Sequence, residues 1–230
     1  MMKMSEDYLM AMIYLLQKYN CPINELFLPS NPIGHNGAAY LAKYFSSNPA
    51  IKTLSLAGGG LSCDHFAVIC SGLALNVSLE NLFLSNNSIG MNGIIALIDA
   101  MSNNTRMAVL DISSNRLNAE AAVCVANFVC AKNSLQKLVL SNNPLTDMGA
   151  NQVLLALLNS NNSLRDLYLS QVGMGDESCD TLGRLISKTA TLSWLDVSKN
   201  DIGAVEKYCK SSIQVISLIN YVILIYPIAI

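Results

Sequence analysis

Leu79–Arg106 reads LENLFLSNNSIGMNGIIALIDAMSNNTR. Leu82 and Leu84 alternate with polar or aromatic neighbours, the period of a short strand with one face buried. Asn86-Asn87 then marks a turn, Ile89-Gly90 a connection, and Ile94, Leu97, Ile98 and Met101 recur at the three- and four-residue spacing of one helix face. The stretch therefore predicts strand, turn and helix, in that order. The rest of the chain repeats it.

Aligned at a 28-residue period, the copies cover 23–50, 51–78, 79–106, 107–134, 135–163, 164–191 and 192–212, with one insertion near Asn159–Asn162. The first position is Ile23, Ile51, Leu79, Met107, Leu135, Leu164 and Leu192. The fourth is Leu26, Leu54, Leu82, Leu110, Leu138, Leu167 and Leu195; the sixth is Leu28, Leu56, Leu84, Ile112, Leu140, Leu169 and Val197. A repeat of this length cannot bury its apolar face alone and does so against its neighbours, which predicts a solenoid with the strands stacked into a parallel sheet.

The ninth position holds Asn31, Asn87, Asn115, Asn143 and Asn200, where an amide can satisfy backbone groups at the strand end. Gly59 and Val172 interrupt it, so those two turns are expected to be less well tied down. Small residues at Gly37, Gly93, Gly149 and Ala121 are expected to let the start of each helix approach the sheet.

The pattern LxxLxLxxN in Leu79–Asn87, with Ile89-Gly90 and the 28-residue period, resembles the ribonuclease-inhibitor class of leucine-rich repeats. The same class occurs in intracellular immune receptors (NLR type), in activators of a nuclear-transport GTPase and in effectors of intracellular bacteria. The resemblance covers Ile23–Gly203. It implies an α/β leucine-rich-repeat horseshoe of about seven to eight repeats, with the parallel β-sheet on the concave face and the helices on the convex face. It also implies a non-enzymatic protein–protein interaction module, without naming the partner, because function resides in the variable positions.

Those positions are the third and fifth of each repeat, whose side chains point away from the core. The fifth reads Phe27, Ser55, Phe83, Asp111, Val139, Tyr168 and Asp196; the third includes Asp166 and Trp194. The fold does not require aromatic residues there, and Trp and Tyr dominate binding energy at interfaces. Phe27, Phe83, Asp111, Asp166, Tyr168, Trp194 and Asp196 are therefore the candidate partner contacts, centred on Tyr168 and Trp194. Cross-strand aromatic pairing within the sheet is the competing reading.

Both ends are distinct. Residues 1–22 predict a capping helix with Ser5 as N-cap, and Glu6-Asp7 argue against a signal peptide. Residues 213–230 predict a partial eighth repeat, with Ile213, Ile216 and Leu218 in the core columns, and an apolar cap. Ser211–Ile230 lacks charge and is long enough for a membrane anchor, so a tail-anchored adaptor stays open.

Other function classes fare less well. Net charge is −2 and the 14 Lys and Arg are scattered, which gives no footprint for nucleic acid. His35 and His65 fall between strand and helix without triad or metal-ligand neighbours and read as solvated turn residues. Gly58-Gly59-Gly60 lacks the Lys-Ser/Thr of a phosphate loop. Seven cysteines without Cys-x-x-Cys favour free thiols in a reducing cytoplasm. No catalytic residue, cofactor or metal is expected, and the protein is expected to be a monomer. A bacterial effector delivered into a host cell without a cleavable signal is the favoured setting. A regulator of a small GTPase is the alternative, with Arg106, Arg116, Arg165 and Arg184 as the available arginines.

Overall fold

The computed structural model describes residues 4–19, 21–47, 50–160, 163–202 and 222–224. It comprises two compact units, Met1–Arg116 and Leu117–Ile230.

In the first unit β1 (Glu25–Phe27), β2 (Thr53–Ser55), β3 (Asn81–Phe83) and β4 (Val109–Asp111) pair in parallel, each with the next. The helices α1 (Glu6–Lys18), α2 (Gly34–Ser47), α3 (Cys63–Leu73) and α4 (Gly90–Ala100) pack in the same order. In the second unit α5 (Ala119–Ala131), α6 (Thr146–Ser160) and α7 (Asp176–Lys188) pack in sequence, and β5 (Lys137–Val139), β6 (Asp166–Tyr168) and β7 (Trp194–Asp196) are parallel. The architecture is the α/β leucine-rich-repeat solenoid.

Its core follows the columns. Leu54, Leu82, Leu138, Leu167 and Leu195 of the fourth column are fully buried, as are Leu56, Leu84, Leu140 and Leu169 of the sixth. Burial of such a side chain is worth about 1.5–3 kcal/mol, so a strand of only three residues is held mainly by what lies beneath it. A further column, Ile33, Leu61, Ile89, Leu117, Leu145 and Met174, is equally buried where the chain leaves the turn for the helix.

The asparagine ladder acts on the preceding repeat. The Leu61 amide donates to Asn87 Oδ1 at 2.9 Å, and Asn87 Nδ2 donates to the Leu56 and Leu84 carbonyls at 3.0 and 2.9 Å. Asn115 receives the Ile89 amide, Asn143 the Leu117 amide, and Asn200 the Val172, Gly173 and Met174 amides. The expectation about Gly59 and Val172 is thus corrected: their own turns are clamped, by Asn87 and Asn200. What their lack of an amide removes is the clamp on the turn before. There the backbone substitutes, with the Ile33 amide bonding the Gly59 carbonyl at 3.1 Å and the Thr146 amide the Val172 carbonyl at 3.0 Å.

A regularity hidden in the sequence sits just before this ladder. The eighth residue of every repeat, Ser30, Gly58, Asn86, Ser114, Asn142, Gln171 and Lys199, is left-handed, with φ between 53° and 65°. Only glycine and, to a degree, asparagine favour that conformation. Five of these residues are shown donating their amide to a carbonyl of the following repeat, as Asn86 does to Ser113 at 3.0 Å, and these bonds hold the turn where the side chain gives no preference.

The small-residue column also has a different reason from the one expected. A Cβ on Gly37 would lie 3.1 Å from Leu9 of α1, and one on Gly149 would lie 3.0 Å from Ala119 and Ala122 of α5. At Gly37 and Gly149 the close approach is to the preceding helix, whereas a Cβ on Gly93 would first meet Ile89 of its own repeat; in none of the three is a strand residue the near neighbour.

Helix starts are capped both locally and from the neighbour. Ser5, Ser62 and Asn118 accept amides of their own helices. Glu6 of α1 instead reaches α2, accepting the Gly37 amide at 3.0 Å. Asp147 of α6 likewise accepts the Glu177 and Ser178 amides of α7 at 2.9 and 3.0 Å, together with the Ser178 hydroxyl. Burial pushes the Asp147 carboxyl up, but the Ser178 hydroxyl and the backbone amides at Gly175, Glu177 and Ser178 outweigh it and hold the group below the ordinary carboxylate range.

At the far end, β8 (Val222–Leu224) borders β7 in the antiparallel sense, with Trp194 opposite Leu224. The predicted eighth strand through Ile213, Ile216 and Leu218 lies outside the described residues, as does most of Ser211–Ile230. No helix among the described residues is long and apolar enough to cross a membrane.

Candidate partner-binding surface

Alternation along each three-residue strand places its middle leucine in the core and its two flanking side chains on the opposite face of the sheet. The seven candidate residues divide between the units: Phe27, Phe83 and Asp111 in the first, Asp166, Tyr168, Trp194 and Asp196 in the second.

In the second unit, parallel pairing sets Lys137, Asp166 and Trp194 in one row and Val139, Tyr168 and Asp196 in the next. The ring contacts run between neighbours on the diagonal. Lys137 Nζ lies 4.7 Å from the centroid of the Tyr168 ring, and that ring stacks on Trp194 with centroids 6.1 Å apart and planes 29° from parallel. The cation, phenol and indole form one diagonal stripe. Cross-strand pairing, the competing reading of these aromatics, is therefore present, yet all three side chains stay partly exposed. Lys137 is a contact beyond the seven candidates, and its place in the third column is the signal for it.

Two polar features of this patch are left over by the fold. Trp194 Nε1 is buried without a hydrogen-bond acceptor among the described residues. Asp166 lies between Lys137 and Trp194, while Lys137 is positioned over the Tyr168 ring. Asp196 differs: its Oδ1 accepts the Ser198 amide at 3.0 Å and so helps close the turn after β7.

In the first unit the fifth-position row runs Phe27, Ser55, Phe83, Asp111. Phe27 is 55% exposed, whereas Ser55 between the two phenylalanines is only 6% exposed. Asp111 accepts the Ser113 amide and hydroxyl at 3.0 and 2.7 Å, the same turn-closing task as Asp196. The two aspartates thus have a structural role that their outward column position did not reveal.

His35 and His65 lie in the first turns of α2 and α3, a step beyond the expected turns, with ring centroids 6.2 Å apart. His35 is exposed, as a solvated residue should be, whereas His65 is half-buried and its Nδ1 has no hydrogen-bond partner among the described residues. Among the described residues no group of three or more His, Cys, Asp or Glu is arranged to hold a metal ion. Burial drives the Cys70 thiol far above its ordinary pKa, away from nucleophilic use.

A family model for the leucine-rich repeat matches residues 131–151. Mouse ribonuclease inhibitor is 27% identical over 194 residues, covering 83% of this chain and 42% of the inhibitor. The pig inhibitor is 26% identical, covering 84% of this chain and 43% of the relative. Mouse NACHT, LRR and PYD domains-containing protein 12 is 29% identical, covering 80% of this chain and 18% of that protein. The chain thus spans less than half the length of these curated relatives. Among solved structures, leiomodin-1 actin-binding site 2 superposes with a TM-score of 0.55 at 14% identity, covering 64% of this chain and 86% of the other. The tropomodulin C-terminal domain of Caenorhabditis elegans superposes with a TM-score of 0.51 at 14% identity, covering 78% and 90%. At that identity these two likenesses speak for the fold alone.

Proposed function

Because the chain is a leucine-rich-repeat protein of the ribonuclease-inhibitor-like kind, we propose that it is a protein-interaction module whose partner docks on the outer sheet face of β5–β7, around Tyr168 and Trp194. The observation that carries this reading is the Lys137–Tyr168–Trp194 stripe, in which rigid aromatic surface is ordered on the side of the sheet away from the core. Such side chains lose little entropy on binding, and Trp and Tyr are the residues in which binding energy concentrates. The half-exposed Asp166 carboxylate, in the row between Lys137 and Trp194, adds an acceptor beside the stripe. The mouse inhibitor, a sequence relative, is named for action on a ribonuclease, itself a protein, which supports a protein partner for this chain. A reducing cytosol, including that of a host cell entered by a bacterial effector, belongs to this proposal as its setting.

The test is affinity capture from lysate with the wild-type chain and with Tyr168→Ala/Trp194→Ala. Loss of two central aromatics is expected to weaken each specific partner at least about 100-fold, given about 2 kcal/mol or more per hot-spot truncation. An unchanged far-ultraviolet spectrum and a free energy of unfolding in urea within about 1 kcal/mol of wild type show that the fold is kept. Retention of every specific partner by the folded double variant defeats the proposal.

A further inference from the structure

The outer face of α1 gathers four large, exposed apolar or aromatic side chains. Tyr8 is 73% exposed, Tyr14 53%, Leu15 49% and Tyr19 67%, while Leu9 and Ile13 on the opposite side are fully buried against the core. At 100° per residue, Asp7, Tyr8, Ala11, Tyr14, Leu15, Lys18 and Tyr19 occupy one continuous arc centred near Ala11. A helix that solvates one side usually carries charge there; this one carries three tyrosines, a leucine and one charge at each end.

We propose that this face docks a second copy of the chain, α1 lying antiparallel to the partner's α1 about a two-fold axis at the level of Ala11–Leu15. The charges select that occupant and that direction. Asp7 and Lys18 are eleven residues, three helical turns, apart and share one azimuth. Antiparallel pairing places Asp7 of each copy opposite the partner's Lys18, giving two ion pairs by symmetry, whereas parallel pairing would set like charges together. The helix dipoles are also favourably opposed. Ala11, the one small residue near the centre of the arc, permits close approach at the axis. The four large side chains alone expose on the order of 500 Å² per copy, about 1,000 Å² for the pair, which is the low end of specific interfaces. Area alone does not set affinity, but so small an interface marks a weak, concentration-dependent association. It does not involve β5–β7, so its fate and that of the proposed partner site are separable.

Sedimentation of the full chain from about 1 to about 200 μM tests it. The expected result is a monomer–dimer equilibrium for wild type and a monomer throughout for Tyr8→Ser/Leu15→Asp, two exposed positions whose change leaves the core intact. Asp7→Lys and Lys18→Asp are each expected to weaken self-association about tenfold, since two exposed pairs are turned to repulsion. Mixing these two variants restores both complementary contacts and gives a heterodimer of at least wild-type affinity. A folding defect in either variant would not be repaired by mixing. A wild type that stays monomeric at the highest concentration, a dimer that survives Tyr8→Ser/Leu15→Asp, or a mixture with no recovery overturns the proposal.

Discussion

Replacing Asn87 by alanine isolates what the ladder contributes. The side chain is 7% exposed and accepts the Leu61 amide at 2.9 Å while donating to the Leu56 and Leu84 carbonyls at 3.0 and 2.9 Å. These losses, with a longer donation to the Ser85 carbonyl at 3.4 Å that the Gly58 amide also serves, are not equal. The Leu84 carbonyl keeps a second donor in Asn115 Nδ2 at 2.9 Å, and the Leu56 carbonyl keeps the Gly59 amide at 3.3 Å. The Leu61 amide has only Asn87 as a shown acceptor, beneath a fully buried Leu61 side chain. An orphaned buried N–H costs about 1–3 kcal/mol, and two carbonyls that lose one of two partners add roughly 1 kcal/mol between them. Asn87→Ala is therefore expected to destabilise by about 2–4 kcal/mol. Asn31→Ala is the internal comparison. That residue is only half-buried and accepts the Met4 amide at 2.8 Å, so about 1 kcal/mol is expected. Urea unfolding followed by circular dichroism measures the difference, and amide exchange at Leu61, which should accelerate in Asn87→Ala alone, reports the bond directly. If Asn87→Ala costs no more than Asn31→Ala, or leaves exchange at Leu61 unchanged, the account of the ladder as a clamp on the preceding turn is wrong.

Two further perturbations test neighbouring parts of the argument. Gly72 of α3 packs against the α2 backbone so closely that an added Cβ would overlap the Ala42 carbonyl and lie 2.5 Å from its Cα. Gly72→Ala should lower stability by about 3 kcal/mol despite the better helix propensity of alanine, and a thermal midpoint equal to or above wild type would contradict that contact. The second concerns pH. The Asp147 carboxyl is depressed in the folded chain below its ordinary value of 3.8, so its contribution is complete above that value and disappears as pH falls through the lower folded one. Asp147→Asn, stripped of the charge, should be less stable at neutral pH and lose less on acidification below about pH 4 than wild type. Parallel stability–pH curves for the two proteins would show that Asp147 does not cap α7.

The repeat was legible because burial is periodic. Leucines at the first, fourth and sixth positions and helix-spaced residues in the second half can satisfy a 28-residue unit in only one arrangement, so strand, turn, helix and their parallel stacking follow from the chain itself. The outward columns followed from the same alternation, and with them Tyr168 and Trp194 as neighbours. What stayed hidden were relations between repeats that residue identity does not encode. The left-handed eighth position is filled by Ser, Gly, Asn, Gln and Lys alike, because hydrogen bonds from the next repeat impose it. The asparagine ladder was visible, but its direction, back to the preceding turn, was not.

The sequence by itself determined the architecture and which side chains leave the core, since hydrophobic period is a one-dimensional property. Only tertiary structure decided what those side chains do once outside. It tied Asp111 and Asp196 to the amides of Ser113 and Ser198, set Lys137 over Tyr168 and Tyr168 on Trp194, and made Glu6 and Asp147 caps for helices to which they do not belong. Each of these depends on a distance of a few ångströms between residues in different strands, repeats or loops, and such distances exist only after the units stack.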